Sequence, residues 1–200
     1  KDFYNPNAIY EEGLSVKREV EEYRTRIAKM LGAAKEGVIF TSGGTEANTW
    51  AIRGEKPGKI IIEPECHPSV SEAAKGISGA KTTLISSVTT DNKLGRKIRE
   101  ERKKKNSEYP YLHIDASQSA NYFNVGLESL ACDMLTLDSA KLYGPKGIGA
   151  LVVASVPIAI RRRRRLSRRS IPVMGTLAEV IVLDRNPASA HAANSSTMGR

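Results

Sequence analysis

Lys141 is the residue whose type and setting most directly suggest covalent chemistry. A short, mostly apolar run, Met134–Leu137, ends in the polar turn Asp138-Ser139-Ala140 that carries it. Gly144-Pro145-Lys146-Gly147-Ile148-Gly149 then leads into a second apolar run, Ala150–Ala154. A strand that ends on a lysine, followed by glycines that let another backbone come close, presents an amine to a carbonyl group. Taken alone, the same lysine is equally a solvated strand-end residue. A second candidate is the turn Thr41-Ser42-Gly43-Gly44-Thr45. A glycine-rich turn that opens a helix aims free backbone N–H groups and the positive end of the helix dipole at one place, which suits a phosphate. Strand, Gly-Gly and helix in that order also make an ordinary tight connection.

The elements that must position these groups follow from the hydrophobic pattern. Leu14, Val16, Val20, Tyr23, Ile27, Met30 and Leu31 recur at helical spacing, so a helix over Glu11–Leu31 is expected, capped by Asn7 or a neighbour and closed by Gly32. Gly37–Phe40 reads as a buried strand before the helix Glu46–Ile52. Lys59–Ile62 reads as another buried strand, and Glu63–Val70 leaves it for a helix over Ser71–Lys75. Arg96–Lys105 is charged almost throughout, with Ile98 its apolar residue, and predicts a solvated helix. Tyr111–Ile114 is a strand leading to Asp115, which alone would be a helix N-cap before Ala116-Ser117-Gln118.

Three stretches, in order, resemble the pyridoxal-phosphate enzymes of the class V aminotransferase family, most closely the cysteine desulfurases. They are Phe40-Thr41-Ser42-Gly43-Gly44-Thr45-Glu46-Ala47-Asn48, His113-Ile114-Asp115-Ala116-Ser117-Gln118, and the segment from Ser139 to Leu151 around Lys141 and Tyr143-Gly144-Pro145-Lys146-Gly147. The resemblance implies a three-layer α/β/α fold with a mostly parallel sheet, the large domain of fold-type-I pyridoxal-phosphate enzymes. It implies pyridoxal 5′-phosphate as cofactor, with Lys141 as the lysine that holds its aldehyde. Gly44 and Thr45 would hold its phosphate, Asp115 would keep the pyridine nitrogen protonated, and Gln118 would contact the ring oxygen. His67 would stack on the ring and help move protons, and Asn92, in Asp91-Asn92-Lys93-Leu94-Gly95, would hydrogen-bond the ring hydroxyl. Lys141 and His67 are thus the catalytic candidates, and no metal is implied.

The sequence also departs from the family. Cys66 stands where a glutamate is usual, and Tyr10 where a histidine is usual. A strand, loop and helix expected after Gly79 are missing, so a smaller domain is expected. Asp138-Ser139-Ala140 replaces the family's Ser-x-His, both of whose side chains touch the phosphate. Ser139 could take over a hydroxyl contact. An aspartate beside a phosphate repels it, so Asp138 must point elsewhere or be offset by a cation such as Lys146. The resemblance covers roughly residues 3–155, and neither the family's N-terminal strand nor its C-terminal small domain, with the cysteine that accepts sulfur, has a counterpart. Neither Cys66 nor Cys132 matches that cysteine. With no initiator methionine, a fragment is expected, organised as a cofactor-binding core over 1–155 and an arginine-rich, poorly ordered tail over 156–200.

Composition bounds the remaining possibilities. The chain has 200 residues, 40% of them hydrophobic and 26% charged, enough for one sizeable core. Its net charge of +9 comes mostly from the tail, where nine arginines face only Glu179 and Asp184. Two cysteines make neither a disulfide framework nor a zinc site, and no long apolar span or signal peptide is present, so a cytoplasmic protein is expected. The implied activity is conversion of L-cysteine to L-alanine, with sulfur passed to a scaffold or acceptor for iron–sulfur cluster or thio-cofactor assembly, by a homodimer. Another class V enzyme, an aminotransferase or selenocysteine lyase, shares the lysine segment. A reading from a different class is an inactive remnant whose Arg161–Arg165 run binds polyanions. That run has no neighbouring aromatics for base stacking, so specific nucleic-acid recognition is not expected.

Overall fold

The computed structural model describes residues 4–54 and 58–154, so the expectations for 156–200 lie outside the described residues. Among these residues four α-helices and six strands follow in the order α1 (Glu11–Leu31), β1 (Val38–Thr41), α2 (Gly44–Arg53), β2 (Lys59–Ile62), α3 (Pro68–Ala74), β3 (Thr82–Ser87), α4 (Lys93–Lys104), β4 (Tyr111–Asp115), β5 (Met134–Asp138) and β6 (Gly149–Val153). The strands form one sheet in the order β1-β6-β5-β4-β3-β2. β2, β3, β4 and β5 pair in parallel, while β6 is antiparallel to both β5 and β1. Five strands therefore share a direction and β6 alone opposes them.

Strand periodicity sorts the side chains into two cores, one on each face. Leu112, Ile114, Leu135 and Val152 face α1 and α4, packing with Ala28, Ile27, Leu31 and Ile98. Tyr111, Met134, Leu151 and Val153 face α2 and α3, packing with Ala47, Ala51, Ile52, Val70 and Ala73. These are the three α/β/α layers of the fold-type-I large domain. Each fully buried aliphatic side chain in them contributes about 1.5–3 kcal/mol.

Some local expectations need correction. The α1 N-cap is Tyr10, without a side-chain cap bond, because the Asn5 carboxamide already accepts from the Asn7 amide at 2.9 Å and ties that turn to itself. Gly32 closes α1 in the left-handed conformation, as its position required. Leu14 and Met30 of the predicted apolar stripe are exposed, whereas Val16, Val20 and Ala28 are its buried apolar side chains and Ile27 and Leu31 pack against the sheet core. β2 is not a buried strand but a sheet edge, with Ile61 41% exposed. α2 begins two residues early because the Ser42 amide and hydroxyl both donate to Glu46 Oε2, at 2.6 and 2.7 Å.

One partly buried charge pair joins the α4 layer to the sheet. Asp133 accepts from the Leu112 amide at 2.8 Å through Oδ2 and from Arg102 at 3.1 Å through Oδ1, and both charged side chains are 13% exposed. Asp133→Ala leaves a guanidinium and an amide without their acceptor and is expected to lower stability in urea unfolding by about 2–4 kcal/mol. Asp133→Asn keeps an acceptor for one of them and should cost roughly half as much.

Candidate active site

The site lies where β1, β4 and β5 end and α2 begins. Thr41 of β1, Gly149 of β6 and Asp138 of β5 share one row across the sheet. A Cβ on Gly149 would sit 2.6 Å from the carbonyl carbon of Gly43, far inside contact distance. The missing side chain lets the 42–44 turn fold over β6 toward β5, the close backbone approach that the glycines after Lys141 predicted.

Asp115 and Asp138 both project from strand ends toward α2, on the face of Tyr111 and Met134. The first turn of α2 answers each of them. Asp138 Oδ2 accepts from the Gly44 amide at 3.1 Å, and its Oδ1 accepts from the Ala140 amide at 3.0 Å. One helical turn on, Asn48 donates through Nδ2 to Asp115 Oδ2 at 2.8 Å and to Ser69 Oγ at 3.0 Å. Asp115 Oδ1 accepts from the Ser117 amide at 3.0 Å. It caps a turn rather than a helix, since no helix follows β4.

His67 is the N-cap of α3, and its Nδ1 accepts from the Ser69 amide at 3.1 Å. The Ser69 hydroxyl lies 2.8 Å from the same nitrogen. Because Asn48 donates to that hydroxyl, its proton goes to Nδ1, and the imidazole carries its own proton on Nε2. Asn48 therefore links the histidine and the aspartate through one carboxamide. The Lys141 carbonyl accepts from Asn121 Nδ2 at 2.6 Å, which pins the turn that carries the amine.

Gly44, Thr45, His67, Asp115, Gln118 and Lys141, drawn from four separate stretches, wall one cavity of about 540 Å³. Asn48, Cys66, Ser117, Ser119 and Asp138 wall it too and were not assigned from the sequence. Asn48 was within reach of sequence reasoning, as a polar residue on the face of α2 that carries Ala47 and Ala51 into the core. Asn92 and Ser139 are not among the lining residues. Asn92 sits at the start of α4, where the neighbouring Asp91 caps the Lys93 amide at 2.9 Å and closes the segment locally. Ser139 alternates with Asp138 at the end of β5 and turns to the opposite face, where it lines a second, mostly apolar cavity of about 360 Å³ with Ile27, Phe40 and Leu137. Lys146 is exposed and outside the cavity, so it does not offset Asp138.

Three buried oxygens in the cavity wall have no hydrogen-bond partner: Asn48 Oδ1, Ser117 Oγ and Ser119 Oγ. Asn48 is 1% and Ser117 8% exposed. Unsatisfied buried polar atoms are costly, and several around one cavity suit a polar ligand. An amine, a fixed carboxylate and an oriented imidazole, together with these oxygens, fit the aldehyde and ring of pyridoxal. At the phosphate end the match differs, since the α2 amide that would take an anion already holds Asp138.

The two thiols are not activated. Burial pushes the Cys66 thiol up, against a smaller lowering by its hydrogen bond with Ser86. Cys132 is fully buried and pushed up to about 12, again chiefly by burial.

The family model, Aminotransferase class-V, matches two overlapping stretches, residues 3–103 and 58–159, and the chain belongs to that family. Its class V and cysteine desulfurase relatives are pyridoxal phosphate enzymes. Among them is the cysteine desulfurase IscS of Dictyoglomus turgidum, 33% identical over 185 aligned positions that take in 76% of this chain and 47% of the relative. IscS of Methanosarcina thermophila is 28% identical, over 86% of this chain and 53% of the relative. Of solved structures, SspA in complex with cysteine is 26% identical with a TM-score of 0.62, covering 76% of this chain and 54% of that one. A NifS-like protein at 21% identity shares the fold, with a TM-score of 0.64 over 84% of this chain and 63% of that one. The chain spans about half the length of the curated relatives it matches.

A raised thiol pKa means less thiolate at any given pH. Alkylation of Cys66 by iodoacetamide should therefore have its pH midpoint above that of N-acetylcysteine, with Cys132 unmodified until the chain is unfolded. Peptide mass mapping after timed alkylation checks both.

Proposed function

We propose that this chain is the cofactor-binding and substrate-activating part of a cysteine desulfurase-type enzyme. The reaction would turn L-cysteine into L-alanine and release sulfur for iron–sulfur cluster or thio-cofactor assembly. One observation carries the proposal: residues 44–45, 67, 115–118 and 141, remote in sequence, converge on one cavity lined with unpartnered polar atoms. The desulfurase relatives and the cysteine-bound SspA structure support cysteine as the substrate.

When bound, pyridoxal phosphate supplies an aldehyde and an electron-withdrawing pyridinium that stabilises negative charge at a substrate α-carbon. Lys141 would hold that aldehyde through Nζ and, once freed by the substrate amine, take up the α-proton. Asp115 would hold the pyridine proton. Its two bonds from Asn48 and the Ser117 amide fix its direction. His67 is anchored through Nδ1, so Nε2 is the atom through which it would move a proton. Ser117 and Ser119 would donate to polar substrate or ring atoms.

The sulfur-accepting thiolate is not supplied by this chain's two cysteines. Cys132 is sealed in the core, and Cys66 is half-buried with its proton held tightly. A thiol from outside these 200 residues would attack the substrate sulfur. A homodimer belongs to the same proposal, and the exposed Tyr122, Phe123 and Tyr143 offer it apolar surface. Among the described residues no helix is long and apolar enough to cross a membrane.

Incubation with a pyridoxal-type aldehyde and reduction with borohydride should leave one adduct, on Lys141, seen by peptide mass mapping. Lys141→Ala should lose both the adduct and the visible absorbance band, and retention of that band would sink the proposal. His67→Ala should keep the adduct yet slow exchange of the cysteine α-proton for deuterium by about a hundredfold or more.

A further inference from the structure

The strongest signal outside the proposed chemistry is the occupant of the α2 N-terminus. In this chain the half-buried helix end points its first amide at a carboxylate of the chain itself, Asp138 Oδ2, at 3.1 Å. That carboxylate is fixed from its other oxygen by the Ala140 amide at 3.0 Å. A Cβ on Gly44 would lie 3.3 Å from Asp138 Oδ2 and 3.1 Å from the unpartnered Ser117 Oγ, so carboxylate, serine and helix end crowd one point of the cavity wall. Among the described residues Asp138 has no ion pair. The charged residues lining the cavity are three carboxylates, Glu65, Asp115 and Asp138, against the single ammonium of Lys141.

An anion at that helix end would have to displace a bonded carboxylate and then sit beside it. Two like charges in contact repel, and more strongly at a partly buried site than in water. A neutral substituent meets no such cost, and the aldehyde and ring contacts of Lys141, Asp115 and His67 do not depend on it.

From these contacts we infer that Asp138 is a specificity-determining residue that closes the anion seat, so that the cavity takes a phosphate-free 3-hydroxypyridine aldehyde ahead of the 5′-phosphorylated one. The inference rests on the proposed function for the presence of the aldehyde at Lys141. What it adds is the identity of the substituent on the ring carbon next to the aldehyde.

The test is an absorbance titration of the whole chain with pyridoxal 5′-phosphate and with 5-deoxypyridoxal. The latter has a methyl group in place of the phosphate ester and cannot close on its own aldehyde. Each titration is followed by borohydride reduction and mass mapping of Lys141. The wild-type chain should bind 5-deoxypyridoxal at least as tightly as the phosphate. Asp138→Asn, which keeps an acceptor for the Ala140 amide, should tighten binding of the phosphate by about tenfold or more and change 5-deoxypyridoxal by less than about threefold. Asp138→Ser, its fold checked by circular dichroism, should do the same and guards against misfolding of the first variant. Tighter wild-type binding of the phosphate, or an affinity ratio that neither variant moves, overturns the role of Asp138 and leaves the proposed function standing. No adduct on Lys141 from either aldehyde, in the wild-type chain and both variants, overturns both.

Discussion

A single missing side chain sets the geometry of this molecule's site. β6 runs against its neighbours and separates β1 from β5, so the turn after β1 and the lysine turn after β5 are held a strand apart. Gly149 fills the row between Thr41 and Asp138 with no Cβ, and the Gly43 backbone occupies the space that one would need. Only then does the start of α2 come within hydrogen-bond distance of a residue 94 positions later in the chain. Any larger residue at 149 would push the two halves of the cavity apart.

The electrostatics of the cavity follow from that closure. Two strand-end carboxylates face one helix, and the helix satisfies them in two ways, with a free terminal amide at Gly44 and with the Asn48 carboxamide one turn on. Asn48 also reaches Ser69, which orients His67, so the proton-carrying edge of the imidazole and the direction of Asp115 share one anchor. A buried polar network of this kind is stabilising when complete and expensive when partly filled. Here Asn48 Oδ1, Ser117 Oγ and Ser119 Oγ stay unpaired, which makes the cavity a place prepared for a polar guest. His113, buried in the sheet, lies within hydrogen-bond distance of both Ser86 and Thr136 and belongs to the scaffold.

The sheet runs unbroken across the stretch after Gly79. β3 pairs in parallel with both β2 and β4, and β2 ends the sheet as a half-exposed edge. The period-two alternation of the strands stays in step across it, and a core lies on each face. The cost falls on the edge, where Ile61 is left against solvent.

The sequence by itself marked most of the elements and named candidate residues for the cavity. The apolar spacing of α1 marked its full extent, with Gly32 to end it. The lysine turn, the Gly-Gly turn and Asp115 each have an ordinary local reading, and it was their order along the chain that marked them as candidates. Period-two alternation along β5 also held the information that Asp138 and Ser139 face opposite sides, although local residue chemistry pointed to the serine. Tertiary structure alone decided which groups meet. The Asp138 carboxylate reaches the Gly44 amide, and Asn48 joins His67 to Asp115, because a strand between them runs backwards and lacks a side chain at one row. Such contacts depend on the order and register of strands far apart in the chain, and no local spacing encodes that order.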